Sequence, residues 1–482
     1  MKGIIAGGSP ENVQAGLYAF EQGGNAFDAL IAAQLSAFVS EPLLTGFAGA
    51  GIATITQMQN GTLDAHVVDM FTAMPGVEKS GKFPTSDVYI NFGQTKQKFS
   101  VGEGAVAVPS MHKGLAYLHK KYATLPLDIL ARPAIEYAQK GTTVSKGLRY
   151  VIDLLYPIVQ LSPIMLRWLC SNKNRIHCPE MEEDIRNFVI HKENMFGQGI
   201  YEKGINTLHN SKLSTKDIEN YTVQQRKTIT QSIPTREDYS VVCPDAPSIG
   251  GQIIANIITN PNFPSSTTSI EWFAHLHRLQ KQIHRDVFVA DTIKRIQSAG
   301  YTTHISATDE AGNSIGLTSS LGETAGFVLP GTGIMLNNFL GEDDVAPIAA
   351  QNCVGARLLT MCAPTILHHN QRQDRYVFGS GGSSRIPSAI SQTMAYMLHG
   401  SLSLEEAIRA PRMHSNGDSI QIESHGLSPD ITEYLHNHTQ QLSVFPEASL
   451  YFGGVHAVGY TSGRFIGMGD ARRSGCVAKC VQ

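Results

Sequence analysis

The residues richest in chemistry are a threonine pair deep inside the chain, in the run Gly300-Tyr301-Thr302-Thr303-His304-Ile305-Ser306. A threonine hydroxyl is a poor nucleophile until a base sits beside it. If the chain cuts its own bond between Tyr301 and Thr302, the freed α-amino group, with an ordinary pKa of about 7.7 to 8.0, supplies that base within the same residue. Thr302 then carries both nucleophile and base, and the chemistry calls for no cofactor and no metal. The plain alternative is that two β-branched residues favour a pleated strand.

The surrounding elements must place such a nucleophile. From Thr302 the residues alternate, with Thr303, Ile305 and Ala307 on one face and Thr302, His304 and Ser306 on the other, which is the period of a strand. Asp309 to Asn313 reads as a turn, and Ser314 to Ser319 as a second strand, so Thr302 stands at the free end of a hairpin. Upstream, Ser9-Pro10-Glu11 starts a helix that Gly23-Gly24 stops, and Asn25 to Asp28 caps a second helix running to about Val39. Strands are expected over Gly51 to Ile55 and Ala65 to Asp69. The stretch from about Thr124 to Asp217 reads as mostly helical, with Ile152, Leu155, Tyr156 and Val159 at helical spacing.

Further signals follow in order: Pro330-Gly331-Thr332-Gly333-Ile334-Met335-Leu336-Asn337-Asn338, then Gly379-Ser380-Gly381-Gly382-Ser383-Ser384-Arg385. Together with Gly23 to Ala29, Glu41-Pro42, Gly46 to Gly51, Val108-Pro109-Ser110, Pro244 to Gly251 and Gly469-Asp470-Ala471-Arg472-Arg473, this set resembles the γ-glutamyltransferase family almost end to end. The resemblance implies an α+β fold, the four-layer αββα sandwich of the N-terminal nucleophile hydrolases. It also implies a precursor cut into a large portion, 1–301, and a small portion, 302–482.

Site roles carried over by the resemblance put the nucleophile at Thr302 and the cleavage site between Tyr301 and Thr302. Ser320 matches a hydroxyl residue that hydrogen-bonds the nucleophile. Gly382 and Ser383 match the pair whose backbone N–H groups form an oxyanion hole, with Ser383 in place of a glycine. That role needs close backbone approach. On its own, the Gly379 to Ser384 run would read as a flexible turn.

Departures from the family pattern bear on the substrate. Relatives that grip a γ-glutamyl α-carboxylate do so with an arginine, yet the matching stretch, Asp69-Met70-Phe71-Thr72-Ala73-Met74-Pro75, has none. Paired serines become Thr360 and Met361, and two amides become Gly322 and Phe339, leaving Thr360 and Glu342 with useful polar chemistry. Arg385 and Arg357 are the candidate replacement cations. A buried carboxylate without a charged partner costs several kcal/mol, roughly, so the site is expected to hold free α-carboxylates poorly. The chain between Asn338 and Thr360 is short, which predicts an open pocket flanked by Phe71, Met74, Phe339 and Met361 and suited to a bulkier or more apolar acyl group.

Composition agrees with a folded enzyme. The chain has 482 residues and a net charge of -3, with no Lys and Arg cluster, which argues against nucleic acid as a partner. No run approaches membrane-spanning length, and the opening Met1 to Gly7 leads straight into a capped helix rather than a signal segment, so a cytoplasmic location is expected. The seven cysteines are thinly spread without metal spacing. His275, His277, His284 and Asp291 read as a helix stripe rather than a metal site, and His368-His369 as solvated loop. Gly46 to Gly51 lacks the strand-then-helix context of a dinucleotide site, and no Gly-x-Ser-x-Gly elbow occurs.

Three classes of function remain. The first is a self-processing threonine enzyme that forms an acyl-enzyme at Thr302 and passes the acyl group from a γ-glutamyl or related amide to water or an amine. The second is an acylase on a non-glutamyl amide. The third is a non-cleaving precursor with a binding role. The partners implied are a small-molecule or peptide amide and its acceptor, the two processed fragments as a heterodimer, and in a further option a homo-oligomer.

Overall fold

The computed structural model describes residues 1–59, 62–91, 96–288, 302–342, 353–417 and 419–481. The Tyr301 side of the expected cleavage site, Asp291, and residues 343–352 of the short segment between Asn338 and Thr360 lie outside the described residues.

Two antiparallel sheets form the centre. The first has seven strands in the order Cys476–Cys480, Gly3–Gly7, Thr302–Asp309, Ser314–Ser320, Ala50–Gln59, Thr62–Met70 and Gln224–Arg226. The second has six, in the order Arg464–Met468, Gly454–Thr461, Arg375–Gly381, Thr365–His369, Arg236–Pro244 and Thr228–Ile233. Side-chain alternation decides what each face meets. Ile305, Ala307, Ile315 and Leu317 join a large core with the helices Pro10–Glu21 and Ala26–Ser40. Ile4 and Ala6 of the first sheet pack instead on Val242, Ile366, Val377 and Val458 of the second. The outer face of the second sheet, including Val241, Phe378 and Ala457, is covered by Ile254, Trp272, Ile386 and Ile390 from the helices Ile249–Ile258, Ile270–Phe288 and Arg385–Leu398. The layers are thus helix, sheet, sheet, helix, the expected αββα sandwich.

Local signals set the first two helices. The Ser9 hydroxyl accepts from the Asn12 N–H at 3.2 Å and Pro10 occupies the first turn, and the chain leaves near Gly23 at φ +89°. Asn25 and Asp28 form a reciprocal capping box on the next helix, whose fifteen residues are all buried. Glu41 follows directly, a carboxylate at the end of an almost wholly apolar helix.

The expected strands run longer than their apolar centres, because ladder bonds continue through Thr56 to Gln59 and through the half-exposed Thr62 to Asp64. The middle region is helical as expected, with Ile152, Leu155 and Val159 buried but Tyr156 46% exposed. His368 and His369 are not solvated loop. They end the strand Thr365–His369 and are buried, because that strand is interior to the second sheet. No helix among the described residues is long and apolar enough to cross a membrane.

Candidate active site

Thr302 opens its strand and pairs in register with Ser320 across the hairpin. Both are 5% exposed, and the Thr302 hydroxyl donates to Ser320 Oγ at 3.5 Å. Ser320 Oγ also accepts the Gly322 N–H at 3.0 Å, so its lone pairs are oriented by the turn that follows it. Gly49, in the glycine turn picked out by sequence, lies against the Ser320 carbonyl: a Cβ there would stand 2.5 Å from that oxygen.

The strand Arg375–Gly381 brings the second glycine run to the same place. A Cβ on Gly381 would stand 1.9 Å from the Thr302 carbonyl oxygen, so only glycine fits there. Gly382 at φ +124° and Ser383 at φ +49° then turn the chain into the helix Arg385–Leu398. The helix start, with backbone N–H groups and the positive end of its dipole, favours negative charge beside Thr302. Ser383 takes a left-handed conformation in which glycine would be unstrained.

Three side chains complete the surroundings, and sequence reading gave none of them a role. The Arg473 guanidinium donates from Nη1 to the Thr302 carbonyl at 3.2 Å. Glu41 Oε2 accepts from the Thr303 hydroxyl at 3.0 Å and from Asn12 Nδ2 at 2.6 Å. Burial is the main cause that pushes the Glu41 carboxyl up to about 7, against the lowering effect of those two hydrogen bonds. His456 receives the Asp470 N–H on Nδ1 at 3.3 Å, and burial holds its pKa down to about 4, so the ring is neutral. A small cleft is lined by Thr302, Thr303, Glu41, Gly381, His456 and Arg473 among others. Glu41 and Arg473 lay inside the quoted motifs Glu41-Pro42 and Asp470 to Arg473; the available signal was a lone acid closing an apolar helix and a second arginine after the first.

Thr303, on the opposite face from Thr302, points to the helix layer, whereas His304 and Ser306 point between the sheets. His304 bonds Thr318 Oγ1 at 2.8 Å and Ser306 Oγ at 2.7 Å, and burial holds its pKa well below the ordinary value.

The expected substrate residues are placed differently. Among the described residues Phe71 and Phe339 do not flank an open pocket: their rings pack 5.3 Å apart, buried in an apolar cluster with Met74, Leu358 and Cys362. With no arginine in the Asp69–Pro75 stretch, apolar side chains close on one another there. Thr360 is engaged by its own backbone turn, with Oγ1 accepting the Cys362 N–H at 3.1 Å. Glu342 is buried close to Gly322 and Asn338, on the side of Ser320. Met361 lines a separate cavity with Ser384, Pro387 and His414, beside the turn that carries Gly382 and Ser383.

Both candidate replacement cations are engaged by other groups. Arg357 is drawn to the buried Asp69, Nε to Oδ2 at 3.1 Å, and lies over the Tyr221 ring. Arg385 donates from Nε to the Tyr451 carbonyl at 3.0 Å and lies over that residue's ring. His277 bonds Ser415 Oγ at 3.0 Å, His275 meets the edge of Phe263, and no group of three or more potential metal ligands occurs among the described residues.

Known proteins resemble this chain over most of its length. A glutathione hydrolase proenzyme of Bacillus subtilis strain 168 is 22% identical, over 98% of this chain and 90% of its own. The acylase ACY 1 proenzyme of Pseudomonas sp. strain V22 is 25% identical, over 88% and 84%. Among solved structures, a cephalosporin acylase from Bacillus halodurans shares the fold with a TM-score of 0.81 at 21% identity, over 99% of this chain and 95% of that one. The γ-glutamyltranspeptidase family model matches residues 13–181 and 265–480, and with Thr302, Ser320 and the Gly381–Ser383 turn gathered at one point, the chain belongs to the γ-glutamyltranspeptidase family.

Proposed function

We propose that the chain is a precursor that cuts itself before Thr302 and then acts as an amide-cleaving acyltransferase. The observation that carries this reading is the convergence on Thr302: a hydroxyl facing Ser320 Oγ, a carbonyl met by Arg473, and the Gly381–Ser383 turn packed against the same residue.

In the first reaction Thr302 Oγ1 attacks the carbonyl carbon of residue 301. The hydroxyl proton passes to the departing nitrogen, the C–N bond breaks, and an ester forms that water cleaves to leave a free Thr302 amine and hydroxyl. The mature portions would be 1–301 and 302–482. In the second reaction the free amine takes the hydroxyl proton as Oγ1 attacks a substrate amide, and the same proton goes to the leaving amine. Ser320 orients the hydroxyl, and the Gly382 and Ser383 N–H groups face the developing oxyanion. Water or an acceptor amine then releases the acyl group.

For the donor, we infer an acyl group other than a free α-amino-acid γ-amide. Arg226 and Arg357, the cations at the Asp69–Pro75 stretch, are both held by Asp69, and Phe71, Met74 and Phe339 are buried beside it. The named acylase relatives lend this weight. A γ-glutamyl anilide turned over with ordinary affinity would overturn the donor reading alone. Intact mass of wild type beside Thr302→Ala tests the processing: two fragments meeting at 301/302 in wild type only are expected. A wild-type chain that stays whole would remove the enzyme reading and leave a binding role.

A further inference from the structure

The first two residues of the nucleophile strand are held by side chains from the two ends of the chain. Arg473 meets the Thr302 carbonyl at 3.2 Å and Glu41 meets the Thr303 hydroxyl at 3.0 Å. Glu41 is itself fixed. Its Oε2 takes Asn12 Nδ2 at 2.6 Å, Asn12 Oδ1 accepts from the Ser40 hydroxyl at 2.7 Å, and Ser40 Oγ lies 3.0 Å from Ser9 Oγ, the cap of the first helix. Its other oxygen lies where a side chain on residue 8 would be, since a Cβ on Gly8 would stand 2.3 Å from Oε1. The carboxylate is thus tied to the starts of one helix and the end of the next.

We propose that Glu41 and Arg473 are positioning residues for Thr302, gripping the strand at Thr303 Oγ1 and Thr302 O so that Thr302 Oγ1 keeps its place beside Ser320 while the bond on its amino side breaks. This rests on the reading of Thr302 as an N-terminal nucleophile. In the uncut chain Thr302 is tethered covalently on both sides. Once the bond breaks, only its carboxyl side is tethered, and that is the side these two groups hold. Burying a carboxylate costs free energy unless its hydrogen bonds return it. Here the return goes to the residue next to the nucleophile. A misplacement of about 1 Å in a reacting atom can cost on the order of a hundredfold in rate.

Self-cleavage needs no added substrate, so the test follows the precursor by intact mass at fixed temperature, with thermal melting of each variant alongside. Thr303→Val keeps the shape and removes the hydroxyl; its cleavage is expected to slow by roughly tenfold to a hundredfold with its melting temperature little changed. Thr303→Ser, which restores the hydroxyl, is expected to cleave close to the wild-type rate. A general packing defect would not be rescued by the smaller serine. Should Thr303→Val not fold, Glu41→Asp replaces it: the charge stays and withdraws by one methylene, and slowed cleavage is again expected. Wild type that cleaves while the folded variant matches its rate would overturn the proposal and leave the nucleophile reading intact. Wild type that never cleaves would overturn both.

Discussion

Glu41→Gln changes one atom, and its effect on stability depends on pH in a way the structure dictates. The Glu41 carboxyl has an ordinary pKa of 4.5 and is pushed up to about 7 in the folded chain, chiefly by burial. The nearby charges are Glu11, which raises it further, and Arg473, which lowers it; the Cys476 thiol also feels Glu41. As pH rises from 4.5, the unfolded chain gives up this proton while the folded chain keeps it until about 7. The folded state binds more protons in that window, so stability falls as pH rises through it and levels off above. A difference of about 2.5 units corresponds to about 3 kcal/mol at most. With an unfolding entropy of about 2.1 cal/mol/K per residue, that is a shift of about 3 °C for one cooperative transition of this chain.

Glutamine accepts the same two hydrogen bonds without a proton to lose. Melting temperatures of Thr302→Ala and Thr302→Ala/Glu41→Gln, both uncut, should therefore draw apart between pH 4.5 and 7.5, with the Gln variant gaining on its parent as pH rises. Asp184 is also pushed up to about 7 by burial, despite bonds from Tyr201 and Gly333, but it is common to both proteins and cancels in the difference. Curves that stay parallel across the window would refute the reasoning.

Gly381→Ala places a methyl group 1.9 Å from the Thr302 carbonyl, a backbone atom that cannot swing aside, and 2.9 Å from Arg473 Nη1, and intact mass should show an uncleaved chain. Ser320→Ala deletes the partner of the Thr302 hydroxyl; a lost hydrogen bond worth about 1 kcal/mol should slow cleavage by roughly fivefold to tenfold in a timed mass experiment. Arg472→Leu strands Glu423 and Asp470, which face the arginine in a buried network that also holds Arg412, and denaturant unfolding should report a loss of roughly 3–5 kcal/mol.

The hairpin at Thr302 was legible because alternation of apolar and polar residues is a local property, and residues 302 to 320 carry it with a turn between. The capped helices were legible for the same reason: Ser9, Asn25 and Asp28 bond to backbone within three residues of themselves. The open apolar pocket was not. Phe71 and Phe339 are far apart in sequence, and whether two apolar side chains line a cavity or fill one depends on how closely their elements approach. His368 and His369 looked like solvated loop because their composition is polar. Their burial follows from the strand's interior place in the second sheet, with neighbours on both sides.

By itself the sequence determined the strand that opens at Thr302, the glycine run that turns close to it and the order of motifs that marks the family, since each rests on residue type and short-range spacing. Only the tertiary structure decided that Glu41 meets Thr303, that Arg473 meets Thr302, and that Arg357 and Arg385 are held by other partners. Those contacts join residues hundreds of positions apart. A charged side chain's role is fixed by what desolvates and pairs it, and that is known only once the layers have closed.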